Sequence, residues 1–279
     1  MAVALARLRM PLTYLSLALI AVDDFLWDPP RWPLLALLTF AFAVYFRLGT
    51  VRREPVEVAL PVAGRWLAYN SPADRVPSHH LHAYGQTYAI DLVHTPQDRQ
   101  RPGFAWWPLA RRPQEFPGFG QPVLAPADGT VVRTRQRERD HWSRTSPPAM
   151  LYLLLEGLLR ELLGPGRILG NHVVLDIGNG VYALFAHLRR GSVRVRPGDR
   201  VALGQQLGEC GNSGNSTEPH LHFQLMDHPS VLLAAGLPMR FDRLQVTGTD
   251  RAGVPHGKQP FTAPGPSLAP AQGSEPTSR

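Results

Sequence analysis

Asn212-Ser213-Gly214-Asn215-Ser216-Thr217-Glu218-Pro219-His220-Leu221-His222-Phe223 is a polar, glycine-containing turn that runs directly into a strand. Side chains two apart on a strand point to the same side, so His220 and His222 share one face while Leu221 and Phe223 share the other. The apolar pair reads as the core side, and the imidazoles read as one wall of a site. Alone, the pattern also fits two surface histidines on an edge strand. Two further clusters weigh against that alternative. His187 closes the strand-like run Leu184-Phe185-Ala186, and His79-His80-Leu81-His82 precedes Asp91 on the run Tyr88–Val93. Imidazole nitrogens and a carboxylate oxygen from separate strands suit zinc, and three protein ligands with one open position make a hydrolytic metal site.

Outward from that strand the chain is built of short alternating runs. Val56–Val58, Gly129–Val132, His172–Ile177, Val181–Ala186 and Leu221–Leu225 read as strands beside Tyr88–Val93, and Asn179-Gly180 is a hairpin turn between two of them. The 28 prolines and 25 glycines mark frequent turns. Residues 51–250 are therefore expected to be mainly β, an antiparallel β-barrel or sandwich. One stretch interrupts it. Ala149–Leu163 is apolar except on a face made by Glu156, Gly157, Arg160 and Glu161, which predicts an inserted amphipathic helix. It is expected to pack on the barrel, with a membrane-surface contact as the alternative. Residues 251–279 are rich in Pro, Ser, Gly and Ala and read as a disordered tail.

Residues 1–50 read as a membrane-anchoring helical segment. Met10–Val22 and Trp32–Phe46 are apolar runs separated by Asp23-Asp24-Phe25-Leu26-Trp27-Asp28-Pro29-Pro30, with Trp27, Trp32 and Tyr45 at their ends. Each is short of a full span of about 20 residues, so two short spans, or one span preceded by an interfacial helix, are expected. Arg7 and Arg9 precede the first run, and Arg47, Arg52 and Arg53 follow the second. Charge bias alone would keep both ends in the cytoplasm.

Composition closes off several chemistries. The single cysteine, Cys210, excludes an intrachain disulfide framework and a zinc site built from several thiolates. Among 29 Lys and Arg the only lysine is Lys258, which lies in the tail, so a lipoyl or biotinyl carrier domain has no attachment site at a hairpin tip. The net charge of +7 suits anionic lipid or an anionic wall polymer. The densest basic run, Arg133–Arg144, is broken by Glu138 and Asp140 and does not read as a nucleic-acid stripe.

The linked motifs resemble a known family, the lysostaphin-type zinc endopeptidases that cleave peptidoglycan peptides. The resemblance covers about residues 70–241. It rests on the His…Asp segment, Pro122-Val123-Leu124-Ala125-Pro126-Ala127-Asp128-Gly129-Thr130-Val131-Val132, Gly170-Asn171-His172-Val173-Val174-Leu175-Asp176, Ala186-His187-Leu188, Pro197-Gly198-Asp199-Arg200-Val201 and Gly214–Phe223. It implies that Asp91 and His222 are ligands of Zn2+ and that His187 and His220 flank the reacting water as general base and transition-state stabilisers. The family's compact form has a histidine four residues before the aspartate, where this chain has Thr87. A longer-gap form fits better: His79, His80 and His82 are its candidates for the first ligand, with His79 preferred and His82 as the alternative. The resemblance implies peptidoglycan peptides as substrate and, despite the arginines, a catalytic domain outside the cytoplasm on a membrane anchor. A membrane-tethered, non-catalytic regulator of wall hydrolases is the alternative function.

Overall fold

The computed structural model describes residues 2–26, 32–46, 50–246 and 249–264. Two apolar helices come first, α1 (Ala2–Leu26) and α2 (Trp32–Phe46). The β region opens with β1 (Val56–Val58), β2 (Gly64–Tyr69), β3 (Ile90–His94), β4 (Pro122–Leu124) and β5 (Gly129–Arg135). Two helices follow, α3 (Pro147–Leu162) and α4 (Pro165–Leu169). The sheet then resumes with β6 (Asn171–Asp176), β7 (Tyr182–Leu188), β8 (Arg200–Val201), β9 (Gln206–Glu209) and β10 (Leu221–Met226). It ends with β11 (Gly236–Leu237), β12 (Met239–Val246), β13 (Thr249–Gly253) and β14 (Pro260–Ala263).

Twelve of these strands form one mixed sheet along the path β1-β12-β14-β2-β3-β10-β7-β6-β5-β8, with β11 on β10 and β13 on β12, while β4 and β9 pair separately. The expected barrel is not formed. Among the described residues the path has two ends, β1 and β8, with no ladder between them. Both end strands are very short, and β1 joins in parallel to β12, so neither offers a run of free antiparallel partners long enough to close the sheet. The mainly β expectation holds; the closure does not.

Position along the strands decides what each face becomes. Leu221, Phe223 and Leu225 of β10 lie in the principal core with Ile90 and Leu92 of β3 and Phe185 of β7. Phe185 and Phe223 meet as tilted rings with centroids 5.3 Å apart, and Trp66 is fully buried in the same cluster. Alternate residues turn to the opposite face, where Leu184, Ala186 and Met226 form a smaller cluster with Ala83, Tyr84 and Met10 of α1. The functional candidates lie on this second face.

Turn chemistry explains the hairpin that carries His187. Asn179 and Gly180 both have positive φ (53° and 68°), as a two-residue turn matched to the twist of its strands requires. The run expected to be strand from Tyr88 starts two residues later. Ala83–Tyr88 is instead a tight 3-10 turn in which Tyr84 and Gly85 have positive φ. A Cβ on Gly85 would come within 3.1 Å of Ala234 and 3.2 Å of Gln224, so the turn is pressed against β10 and its flank.

Two expectations for chain ends and inserts meet different outcomes. Part of the segment read as a loose tail lies in the sheet: β14 pairs with β2 in register Phe261↔Trp66, and Phe261 is buried. Sequence composition misses this because a four-residue strand carries its signal in one buried aromatic. Residues 265–279 lie outside the described residues. The inserted helix is present as α3, capped by Ser146, whose hydroxyl accepts from the Ala149 amide, with Pro147 in the first turn. It does not pack its apolar face on the sheet. Leu153 is its only buried apolar residue.

Among the described residues one helix, α1, contains a stretch long and apolar enough to cross a membrane, Val3–Ile20, and α2 is a shorter apolar helix. Both dock on the β region through Arg9, whose Nε donates to Val44 O (2.8 Å) and Nη1 to His82 O (2.6 Å).

Candidate functional site

Asp91 stands at the centre of the second face. In the β3–β10 ladder it lies directly opposite His222, the pairing that brings side chains closest across two antiparallel strands. His222 Nδ1 is 2.9 Å from Asp91 Oδ1, and His79 Nε2 is 3.0 Å from Oδ2. His79 arrives on the loop before the Ala83–Tyr88 turn. Asn70, just after β2, donates from Nδ2 to Asp91 Oδ2 at 2.7 Å. His79, Asp91 and His222 present one ligand atom each within 4.8 Å of one another. Two imidazoles and one carboxylate are the donor set that suits zinc.

Two more imidazoles flank that group. His187 sits where β7 gains one residue over β6, between the pairs Asn171↔Leu188 and Val173↔Phe185, and its φ is +61°. A bulge re-aims the side chain it carries. Here it turns His187 toward β10, with ring centroids 4.8 Å from His220 and 5.8 Å from His222. His187 Nδ1 lies 2.8 Å from Ser213 O, and His220 Nδ1 lies 2.8 Å from Glu218 O. Carbonyl oxygens only accept, so both rings carry a proton on Nδ1 and leave Nε2 for the cleft. His220 Nε2 is 3.6 Å from Asp91 Oδ1.

Gln224, two residues beyond His222 on the same face, settles that ring's orientation. Its amide nitrogen donates to Tyr84 O (2.9 Å), which turns Oε1 to His222 Nε2 at 3.0 Å. His222 therefore donates from Nε2 and directs Nδ1 at Asp91.

Electrostatics follow from burial and proximity. Burial alone would raise the Asp91 pKa, but the charges of His79 and His220 and the bonds from His222 and His79 hold it well below the carboxylate range. Burial, reinforced by His220 and His222, pushes His187 well below the usual imidazole value, which favours its neutral form. For His222 burial works downward, and the bond and charge of Asp91 outweigh it and raise the value.

The turn Asn212–Glu218 is held by contacts that only small residues permit. A Cβ on Gly214 would lie 2.5 Å from Gly170 N, and one on Gly170 would lie 2.5 Å from the Ser213 carbonyl carbon. His141 Nε2 bonds Gly214 O (2.9 Å), and Asn212 donates to His141 O (2.8 Å). His141 is buried, its two ring nitrogens and its carbonyl engaged at this turn. Arg101 grips Glu218 with both Nε and Nη2 at 2.8 Å and Tyr69 Oη at 3.0 Å.

The cleft above the cluster has a volume of about 590 Å³. Its walls come from β3, β7 and β10, from α1 and α2 through Leu17 and Tyr45, and from α3 through Leu154, Leu158 and Glu161. Tyr84 Oη donates to the Glu161 carboxylate and lies 3.2 Å from Tyr14 Oη, tying α3 and α1 together over the cleft floor.

The structure brings His79, Asp91, His187, His220 and His222 together. It does not bring His82 there. That ring is buried 2.9 Å from Thr87 Oγ1, and burial, with Arg9 nearby, pushes its pKa down to about 4. His80 faces outward to Arg75. Asn70 and Gln224 were not singled out from sequence, and Glu161 was read only as part of the polar face of α3. Gln224 had a legible signal, its two-residue spacing from His222; Asn70 had none, since only the β2–β3 ladder places it beside Asp91.

The sequence profile of Peptidase family M23 matches residues 156–232. The match runs from α3 past β10 and includes His187, His220 and His222 but neither His79 nor Asp91. A peptidoglycan DD-endopeptidase, ShyA of Vibrio cholerae, is 38% identical over 123 residues, which are 43% of this chain and 21% of that protein. Glycyl-glycine endopeptidase ALE-1 of Staphylococcus capitis is 42% identical over 73 residues, 26% of this chain and 20% of the relative. Among solved structures, the catalytic domain of lysostaphin from Staphylococcus simulans is 23% identical and covers 56% of this chain and 76% of its own, with a TM-score of 0.31. The matched region is about a fifth of the length of these curated relatives.

Proposed function

Taking residues 156–232 as a segment of Peptidase family M23, we propose that this protein is a membrane-anchored zinc endopeptidase that hydrolyses peptide bonds of peptidoglycan stem peptides or cross-bridges. The observation that carries the reading is the convergence of His79, Asp91 and His222 within one ligand-sized group, with the Nε2 atoms of His187 and His220 turned to the same cleft. Residues 51–250 would be the catalytic domain and residues 1–50 the anchor. The catalytic domain would lie outside the cytoplasm, where its substrate is.

His79, Asp91 and His222 would hold the ion, with Gln224 fixing the His222 tautomer and Asn70 orienting the carboxylate, the supporting role that outer partners play at metal sites. Bound zinc supplies Lewis acidity and lowers the pKa of a coordinated water. His187 and His220, each held through Nδ1, divide the proton work: one takes a proton from the attacking water, and the other stabilises the developing charge on the carbonyl oxygen and returns a proton to the leaving amine. No carboxylate base is required.

Metal content of the purified protein, measured together with hydrolysis of purified peptidoglycan, tests this. Stoichiometric zinc and chelator-sensitive release of peptides are expected. Zinc without hydrolysis would leave a metal-holding regulator, and no zinc at all would overturn the ligand assignment.

A further inference from the structure

Helix α3 is turned inside out for a water-soluble protein. Its charged residues point inward and are satisfied there: Glu156 pairs with Arg144 (3.0 Å) and Arg160 (2.9 Å), Glu161 accepts from Tyr84, and Gly157 lies against Asn215. The outward arc carries Leu154, Leu155, Leu158, Leu159 and Leu162, which are 57–77% exposed. A continuous row of leucines over about two turns exceeds the scattered apolar exposure normal for a soluble surface.

Two observations identify what covers it. First, Leu154 and Leu158 line the same cleft mouth as Thr13 and Leu17 of α1, the helix apolar and long enough to span a bilayer. The exposed leucines of α3 thus adjoin the apolar surface of α1, on which Leu17 is itself exposed. Second, an aromatic loop is tied to the start of α3: Ala105 N donates to Thr145 O (3.1 Å), and Ser146 Oγ donates to Leu109 O (2.6 Å). That loop exposes Phe104, Trp106 and Trp107, the last two at 74% and 76%. Tryptophans beside an amphipathic helix are the anchors of interfacial membrane binding. A chain of net charge +7 favours an anionic surface.

We propose that α3 and the Phe104–Leu109 loop lie in the surface of an anionic lipid bilayer beside α1, so that the cleft opens at the lipid–water boundary. The protein then touches the membrane at a second place, apart from its N-terminal segment, and the cleft is held against the membrane. This adds a contact and does not depend on catalysis.

The test uses the full chain reconstituted into vesicles of equal parts phosphatidylethanolamine and phosphatidylglycerol. An environment-sensitive fluorophore is placed through Leu155→Cys, Leu158→Cys or Leu162→Cys, each in a Cys210→Ala background, with Leu19→Cys on α1 and Leu203→Cys near β8 for comparison. Probes on α3 should shift to the blue and lose most of their emission to lipids carrying a nitroxide on the acyl chain, while the Leu203 probe responds to aqueous iodide. Adding Leu158→Asp and Leu162→Asp should abolish lipid quenching at position 155 and leave it unchanged at position 19. Water-accessible α3 probes beside a lipid-quenched position 19 would overturn the proposal. So would α3 probes shielded from both quenchers that form disulfides between copies, the result expected if a second copy covers the face. The position 19 probe reports separately on α1, so failure of the N-terminal anchor is not confused with failure of the α3 contact.

Discussion

Asp91 receives four polar side chains, from His79, His220, His222 and Asn70. Concentrating that many groups on one carboxylate makes metal retention and turnover separable. Asp91→Ala or His222→Ala should lose the metal, read as zinc per chain after gel filtration. His220→Ala should keep the metal while turnover falls on the order of a hundredfold or more; a fully active His220→Ala protein would refute its role. His82→Gln should retain the metal, since His82 bonds Thr87 instead. Away from the cluster, His172 offers a pH test. Burial pushes its pKa from 6.5 down to about 4, the bond to Gly170 O opposing. A histidine kept neutral in the fold contributes its stability in full above about pH 6.5. That contribution is lost as pH falls from 6.5 toward 4, because the unfolded chain takes up the proton first. The loss is on the order of 3 kcal/mol at 1.36 kcal/mol per unit. Urea unfolding across this window should show a shallower acid decline for His172→Gln than for the parent, and equal slopes would contradict the assignment.

Elements matter here through which face they turn and how closely they approach. The Asn212–Glu218 turn and the α4–β6 junction meet backbone to backbone at Gly214 and Gly170. Gly214 has φ +76°, so Gly214→Ala combines left-handed strain with a Cβ only 2.5 Å from Gly170 N. The expected cost is about 2–3 kcal/mol, and displacement of Ser213 O would release His187 from its bond. Thermal unfolding and residual activity should therefore fall together in this variant. β14 provides a second element test. Phe261 sits opposite Trp66 and is 2% exposed, so Phe261→Ala should destabilise by about 3–5 kcal/mol. A loss below about 0.5 kcal/mol, the range of surface substitutions, would instead place residues 260–263 outside the folded unit.

For the whole molecule, the helices are not on a loose tether. Met10 packs among Ala83, Leu184 and Met226, and Arg9 bonds both α2 and the loop at His82. If these helices are the proposed membrane anchor, docking of this kind would set the height of the cleft above the membrane. Protease added to intact spheroplasts should digest the β region if it lies outside the cytoplasm, as its proposed substrate requires. Full protection would reverse that placement and agree with the arginines at positions 7, 9, 47, 52 and 53.

What the sequence determined by itself was local: strand spacing put His220 and His222 on one face, Asn179-Gly180 set a hairpin, and apolar runs marked α1, α2 and α3. These depend on periodicity and turn chemistry, which act within a few residues. Only the tertiary structure decided between His79 and His82 as neighbour of Asp91, because a loop of non-periodic residues carries no register. The same holds for the open sheet: strand composition is alike in barrels and open sheets, and closure depends on whether the end strands meet. The direction of α3 was also beyond reach. Its pattern fixed an amphipathic helix, but amphipathicity is the same whether the leucines face a core or a solvent that is itself apolar. The choice was made by Tyr84 and Asn215, far away in the chain, together with Arg144 just before the helix, which hold the polar face inward.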